Sequence, residues 1–66
     1  MRDPERIHAV TKAIEECWRD FPDMRFGQLM DNIFIYNNRK TRTEIWNMEE
    51  SQLLECIRKF REEHKQ

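Results

Sequence analysis

Ile7, Val10, Ile14, Cys17, Trp18 and Phe21 fall on a single stripe about 100° wide when their stretch is wound at 3.6 residues per turn. An alternating strand pattern cannot accommodate that spacing, so the opening third of the chain is predicted to be an amphipathic helix over residues 4–20. Asp3 is placed to cap it, and Pro4 suits the first helical position, where a missing N–H costs nothing. Glu5 adds negative charge at the positive end of the helix dipole. Glu15 and Arg19 are spaced to pair on the outer face.

Phe21-Pro22-Asp23 ends this helix, because Pro22 pushes Phe21 out of the helical region. Asp23 is expected to cap a second helix over 24–36, with Phe26, Leu29, Met30, Ile33 and, at its edge, Phe34 facing inward. Gly27 in its first turn is unfavourable by about 1 kcal/mol against Ala. Close approach of another helix or of the Trp18 ring is the expected reason. Residues 37–43 are polar and read as a loop. Glu44-Ile45-Trp46 is expected to cross the open side of the helix pair and plug it with Trp46. A third helix begins between Asn47 and Glu50, capped by Asn47 with Glu50, and runs to about His64. Its stripe is Leu53, Ile57 and Phe60, with Leu54 and Cys56 on the shoulders. Glu55–Lys59 and Arg58–Glu62 have the spacing of surface ion pairs.

The expected fold is therefore all-α: one compact three-helix domain spanning residues 1–66, with room for a short extra helical turn before the last helix. The short connection favours the first two helices as an antiparallel pair. A 66-residue chain buries only about 60% of its unfolded surface, so a second copy or a bound partner would be a welcome source of stability.

The chemistry expected of the chain is mostly negative. His8, Cys17, Cys56 and His64 could supply four metal ligands, but structural sites pair their ligands closely, and His8 and Cys17 lie on opposite helix faces. No metal or other cofactor is expected. The cysteines lie on or beside apolar stripes, where burial raises the thiol pKa and removes reactivity. No nucleophile stands with a base and an orienting group, so the chain is not expected to be an enzyme or to take a small-molecule substrate. No segment approaches the about 20 apolar residues that span a bilayer, and no signal peptide is recognised, which makes the cytoplasm the expected location, with reduced thiols.

Two kinds of macromolecular partner are left. A formal net charge of −1 gives no general attraction for polyanions. Residues 38–43, with Arg39, Lys40 and Arg42, could nonetheless grip phosphates. A helix-turn-helix reading fails, because the Pro22 turn carries Asp20 and Asp23 and the helix after it has few base-reading side chains. A protein partner or self-association fits better. Ile35 lies about 180° from Phe26 on the second helix, so one core cannot bury both. Phe34, Ile35 and Tyr36, rimmed by Arg39, Lys40 and Arg42, form the candidate interface, since exposed apolar patches mark interaction sites. The competing arrangement ends the helix early and folds the loop over Ile35.

Met1-Arg2-Asp3-Pro4, Arg6-Ile7, Trp18, Pro22-Asp23, Arg25-Phe26-Gly27-Gln28-Leu29, Asn32 and the block Ile45-Trp46, Glu49-Glu50, Leu53-Leu54 carry a resemblance to short uncharacterised bacterial and phage proteins. More distantly the chain resembles the YihD-like proteins, in which an amphipathic helix ending in Trp is followed by a Pro-Asp turn and a Gln-containing apolar helix. The resemblance implies an all-α fold and carries no activity. Residues 37–43 depart from the pattern by being longer and more basic. The functional expectation is a non-catalytic protein-interaction module of a bacterium or phage, such as a phage-encoded binder or inhibitor of a host protein. The alternative is a small nucleic-acid-associated regulator contacting phosphates through residues 38–43.

Overall fold

The computed structural model describes residues 2–65. Met1, which belongs to the opening motif, and Gln66 lie outside the described residues. The chain is all-helical, with three main helices and a short one before the last: α1 (Glu5–Asp20), α2 (Phe26–Tyr36), α3 (Arg42–Trp46) and α4 (Glu50–Glu63). No strand occurs among the described residues.

The start of α1 follows the sequence logic. Asp3 Oδ1 accepts the Glu5 N–H at 3.0 Å, and Pro4 already holds a helical φ of −64°. At the other end Phe21 leaves the helical region (φ −133°, ψ 64°) while its N–H still reaches the Trp18 carbonyl, as the following Pro22 demands. Asp23 does not cap α2. The helix starts two residues later than expected, with Arg25 at the cap position and Gln28 Oε1 accepting the Arg25 N–H at 2.9 Å. The intervening turn is held by Trp18, whose indole N–H donates to the Met24 carbonyl at 2.7 Å. Trp18 is thereby half-buried, its indole N–H bonded and its ring 5.4 Å from that of Phe26.

The core consists of Cys17 from α1, Leu29 and Ile33 from α2, and Cys56, Ile57 and Phe60 from α4. The last helix contributes most because it is central: the main inter-helix packing is of α4 on α1 and of α4 on α2. The expected antiparallel pairing of the first two helices is therefore not the organising contact. Instead α1 and α4 run parallel. At their N-terminal ends Arg6 pairs with Glu50, and Arg2 with Glu49 and Glu50. At their C-terminal ends Arg61 pairs with Asp20 and Glu16. The long return through α2 and α3 is what permits a parallel pair.

Several inward assignments change with this geometry. Ile7 is 56% exposed and Phe26 47% exposed, so neither enters the core. Cys56, placed on a shoulder by the periodicity, is buried, and Leu53 packs against the core only in part. Outside its own helix backbone and chain neighbours, nothing lies within 4 Å of where a Gly27 Cβ would stand, so the expected close approach of Trp18 or another helix does not exist. Arg58 pairs with both Glu55 and Glu62, in place of the expected Glu55–Lys59 pair.

Candidate interaction surface

The end of α2 is built by backbone chemistry. Asn38 adopts the left-handed conformation at φ 59°, which Asn tolerates better than other residues with a Cβ. Its N–H donates to the Ile35 carbonyl at 3.0 Å, and the Arg39 N–H donates to the Phe34 carbonyl at 2.8 Å. These are the two bonds of a Schellman termination. The side-chain amide of Asn37 donates to the Ile33 carbonyl at 2.8 Å and the Cys56 carbonyl at 3.1 Å, tying this helix end to α4. The connection therefore leaves along α4 and does not fold back over the outer face of α2.

Ile35 is consequently 50% exposed, on the side of α2 opposite the buried Ile33. Phe34 is half-buried but not part of the core cluster. Tyr36 separates from this pair. Its ring turns toward α4, 6.0 Å from Phe60 and 5.2 Å from His64, with His64 stacked on Phe60 at 4.3 Å. Partial burial, then the neighbouring Glu63 and Glu62 carboxylates, push the Tyr36 phenol up from its ordinary value. The sequence-derived patch is thus divided: Phe34 and Ile35 adjoin the basic segment, while Tyr36 joins an aromatic cluster at the far end of α4.

The basic segment does not remain a loop throughout. Thr41 and Glu44 form a capping box that starts α3: Thr41 Oγ1 accepts the Glu44 N–H at 3.1 Å, and Glu44 Oε1 accepts the Thr41 N–H at 3.3 Å. The spacing Thr41-x-x-Glu44 is readable in sequence, as is the Asn37-Asn38 stop signal. Hydrogen bonds from Thr41, aided by Arg39, hold the Glu44 carboxyl below its ordinary value. Asn47 closes α3 by donating its side-chain amide to the Thr43 carbonyl at 3.0 Å, so it caps a helix end and not the start of α4. That start is made by Glu49, whose N–H is accepted by Gln52 Oε1 at 2.8 Å.

Trp46 plugs nothing. It is 79% exposed, beside the partly exposed Ile45, and lines a shallow hollow with Arg42, Thr43 and Asn47. A helix as short as α3 turns one narrow face to the body. Met48, just beyond it, takes the inward place against the core. Arg39, Lys40 and Arg42 make no ion pair among the described residues, whereas Arg2, Arg6, Arg19, Arg58 and Arg61 are each paired with a carboxylate.

The thiols of Cys17 and Cys56 are free and buried. Burial pushes the Cys17 thiol up from its ordinary value, with Arg61 opposing and Asp20 assisting. Among the described residues no group of three or more His, Cys, Asp or Glu side chains is placed to hold a metal ion. Among the described residues no helix is long and apolar enough to cross a membrane.

No protein-family model, no curated protein and no solved structure matches the chain.

Proposed function

We propose that this chain is a non-catalytic protein-interaction module of a bacterium or phage, acting in the cytoplasm by occupying the surface of another protein or of a second copy. A phage-encoded binder of a host protein is one form of this reading. The contact surface runs from Phe34 and Ile35 at the outer end of α2 onto Arg39, Lys40 and Arg42. The observation that carries the reading is the half-exposed Ile35 on the outer face of α2, beside three cations without ion-pair partners among the described residues. An apolar centre with a charged rim is the layout of an interface. Two free, buried cysteines accord with a reducing compartment.

The test is Ile35→Asp. A solvent-facing position accepts the charge, so the helical spectrum and the melting temperature should stay near those of the unmodified chain. Sedimentation or capture of an identified bacterial protein should weaken. A variant that melts as before and retains every association removes Ile35 from the surface.

The unpaired cations also favour a second reading, a nucleic-acid-associated regulator using residues 38–43. Phosphate contacts weaken steeply with added salt, whereas an apolar contact does not. A salt titration of whatever complex forms separates the two.

A further inference from the structure

Resting on the interaction-module reading, we propose that α3 is the anchor of the binding surface, and that its occupant is an acidic, amphipathic segment of a partner protein. Trp46 and Ile45 would pack on the segment's apolar side chains while Arg39, Lys40 and Arg42 face its carboxylates.

The exposure of Trp46 is the first observation. At 79% exposed its ring is held out from a helix whose ends are both secured, by the Thr41–Glu44 capping box and by Asn47. The platform is thus ordered without the indole contributing to the core. Trp and Arg are the side chains that most often dominate binding energy, and here Trp46 and Arg42 line one hollow, a turn apart on the same helix face.

Charge supplies the second observation. Arg2, Arg6 and Arg61 clamp the helices through ion pairs. Among the described residues Lys12, Arg25, Lys59 and Lys65 stand singly without one, whereas Arg39, Lys40 and Arg42 bring three cations without an ion-pair partner into four consecutive positions. The nearest carboxyl in that stretch, Glu44, is engaged by Thr41. A partner carrying negative charge would complete this segment.

A protein segment fits better than a polyanion. The exposed apolar residues include the aliphatic Ile45 and Ile35, which, unlike Trp46, offer no flat ring for a nucleotide base to stack on. The one run of neighbouring cations is short and belongs to a chain whose net charge is −1, so an extended phosphate backbone would soon run into like charge. A compact acidic cluster beside a Leu or Phe matches both the size of the basic stretch and its apolar centre.

The test uses the full chain and four probes: a labelled peptide with Glu and Asp flanking Leu and Phe, the same peptide with Leu and Phe replaced by Ser, oligothymidylate, and phosphatidylserine vesicles. Binding is read by anisotropy or vesicle sedimentation, and by tryptophan emission, with the Trp46→Ala chain giving the Trp18 contribution. The first peptide should bind, shift tryptophan emission to the blue, and lose at least about tenfold in affinity when its apolar residues are removed. Trp46→Ala should weaken it by about 30-fold or more. Lys40→Glu with Arg42→Glu should weaken it further, with the helical spectrum unchanged in both variants, because these side chains are exposed. Equal binding of the Ser-substituted peptide, tighter binding of oligothymidylate or vesicles, or no binding of the first peptide overturns the proposal. Binding that survives Trp46→Ala but is lost in Ile35→Asp overturns the α3 anchor while leaving the wider interaction reading in place. Loss in Trp46→Ala with no effect of Ile35→Asp supports the anchor and removes the outer face of α2.

Discussion

Arg61 Nε lies 2.7 Å from Asp20 Oδ2, joining the C-terminal ends of α1 and α4 across 41 residues of chain. With Arg6 and Glu50 at the opposite ends, this pair defines the parallel register of the two helices. Register and stability are separate matters here. Both partners of the Arg61–Asp20 pair are more than one-third exposed, and pairs of that kind contribute little. Arg61→Met is expected to cost below about 1 kcal/mol in urea denaturation. Leu29→Ala, at a fully buried position, is expected to cost about 2–5 kcal/mol, enough to unfold much of so small a domain. Similar losses in the two variants would show that the clamp contributes as much as a core side chain does.

The Glu50 carboxyl gives a pH signature. Its hydrogen bond from Arg6, with the charges of Arg6 and Arg2 adding and partial desolvation opposing, holds it below its ordinary value of 4.5. A carboxyl lowered in the folded state contributes stability above its unfolded pKa and loses it as pH falls through the folded value. Stability should therefore decline below about pH 4.5, with Glu44 and Glu55, lowered likewise, adding to the decline. Glu50→Gln should flatten this acid limb. An unchanged slope in melts across pH 2–6, a range of about four units, would argue against the Arg6–Glu50 bond.

Backbone demands predict opposite outcomes at two positions. Gly27 lies in the first turn of α2 with open space around its Cβ direction, so Gly27→Ala should stabilise by about 0.5–1 kcal/mol. Asn38 occupies the left-handed region at φ 59°. Asn38→Ala should cost about 1 kcal/mol, whereas Asn38→Gly should be close to neutral. Thermal melts of the three variants check both. A destabilising Gly27→Ala would mean that the residue serves a contact outside this chain.

Cys17 and Cys56 are buried on the faces where α1 and α4 enter the core. Both thiols should resist alkylation in the native state and react fully in denaturant. Because the Cys17 thiol is pushed up, the unfolded chain ionises first as pH rises, and this residue's contribution to stability should fall above about pH 9, the ordinary thiol range. Rapid native-state modification would place one of them at the surface.

Helix identity was legible because it depends on neighbours along the chain. The stripe from Val10 to Phe21, the Phe21-Pro22 stop, and the Leu53–Phe60 face all rest on spacing and local sterics, and the all-α class with a short helix before the last follows from them. The Thr41–Glu44 box and the Asn37-Asn38 stop are equally local signals, present in the letters. Helical angle left the place of Ile35 open between an exposed face and a loop folded over it. Phe26, set opposite it as a core residue, is itself 47% exposed, and only the tertiary structure put Ile35 in solvent.

Packing partners were a different matter. Periodicity states which face of a helix is apolar but not which other helix will cover it, so α4 as the central helix and its parallel pairing with α1 could come only from the tertiary structure. The same limit explains Trp46 and Tyr36. A large aromatic in a short segment can turn to the body or away from it with equal local merit. Met48 and Phe60 decided the outcome by taking the inward places, leaving Trp46 in solvent and drawing Tyr36 away from Ile35.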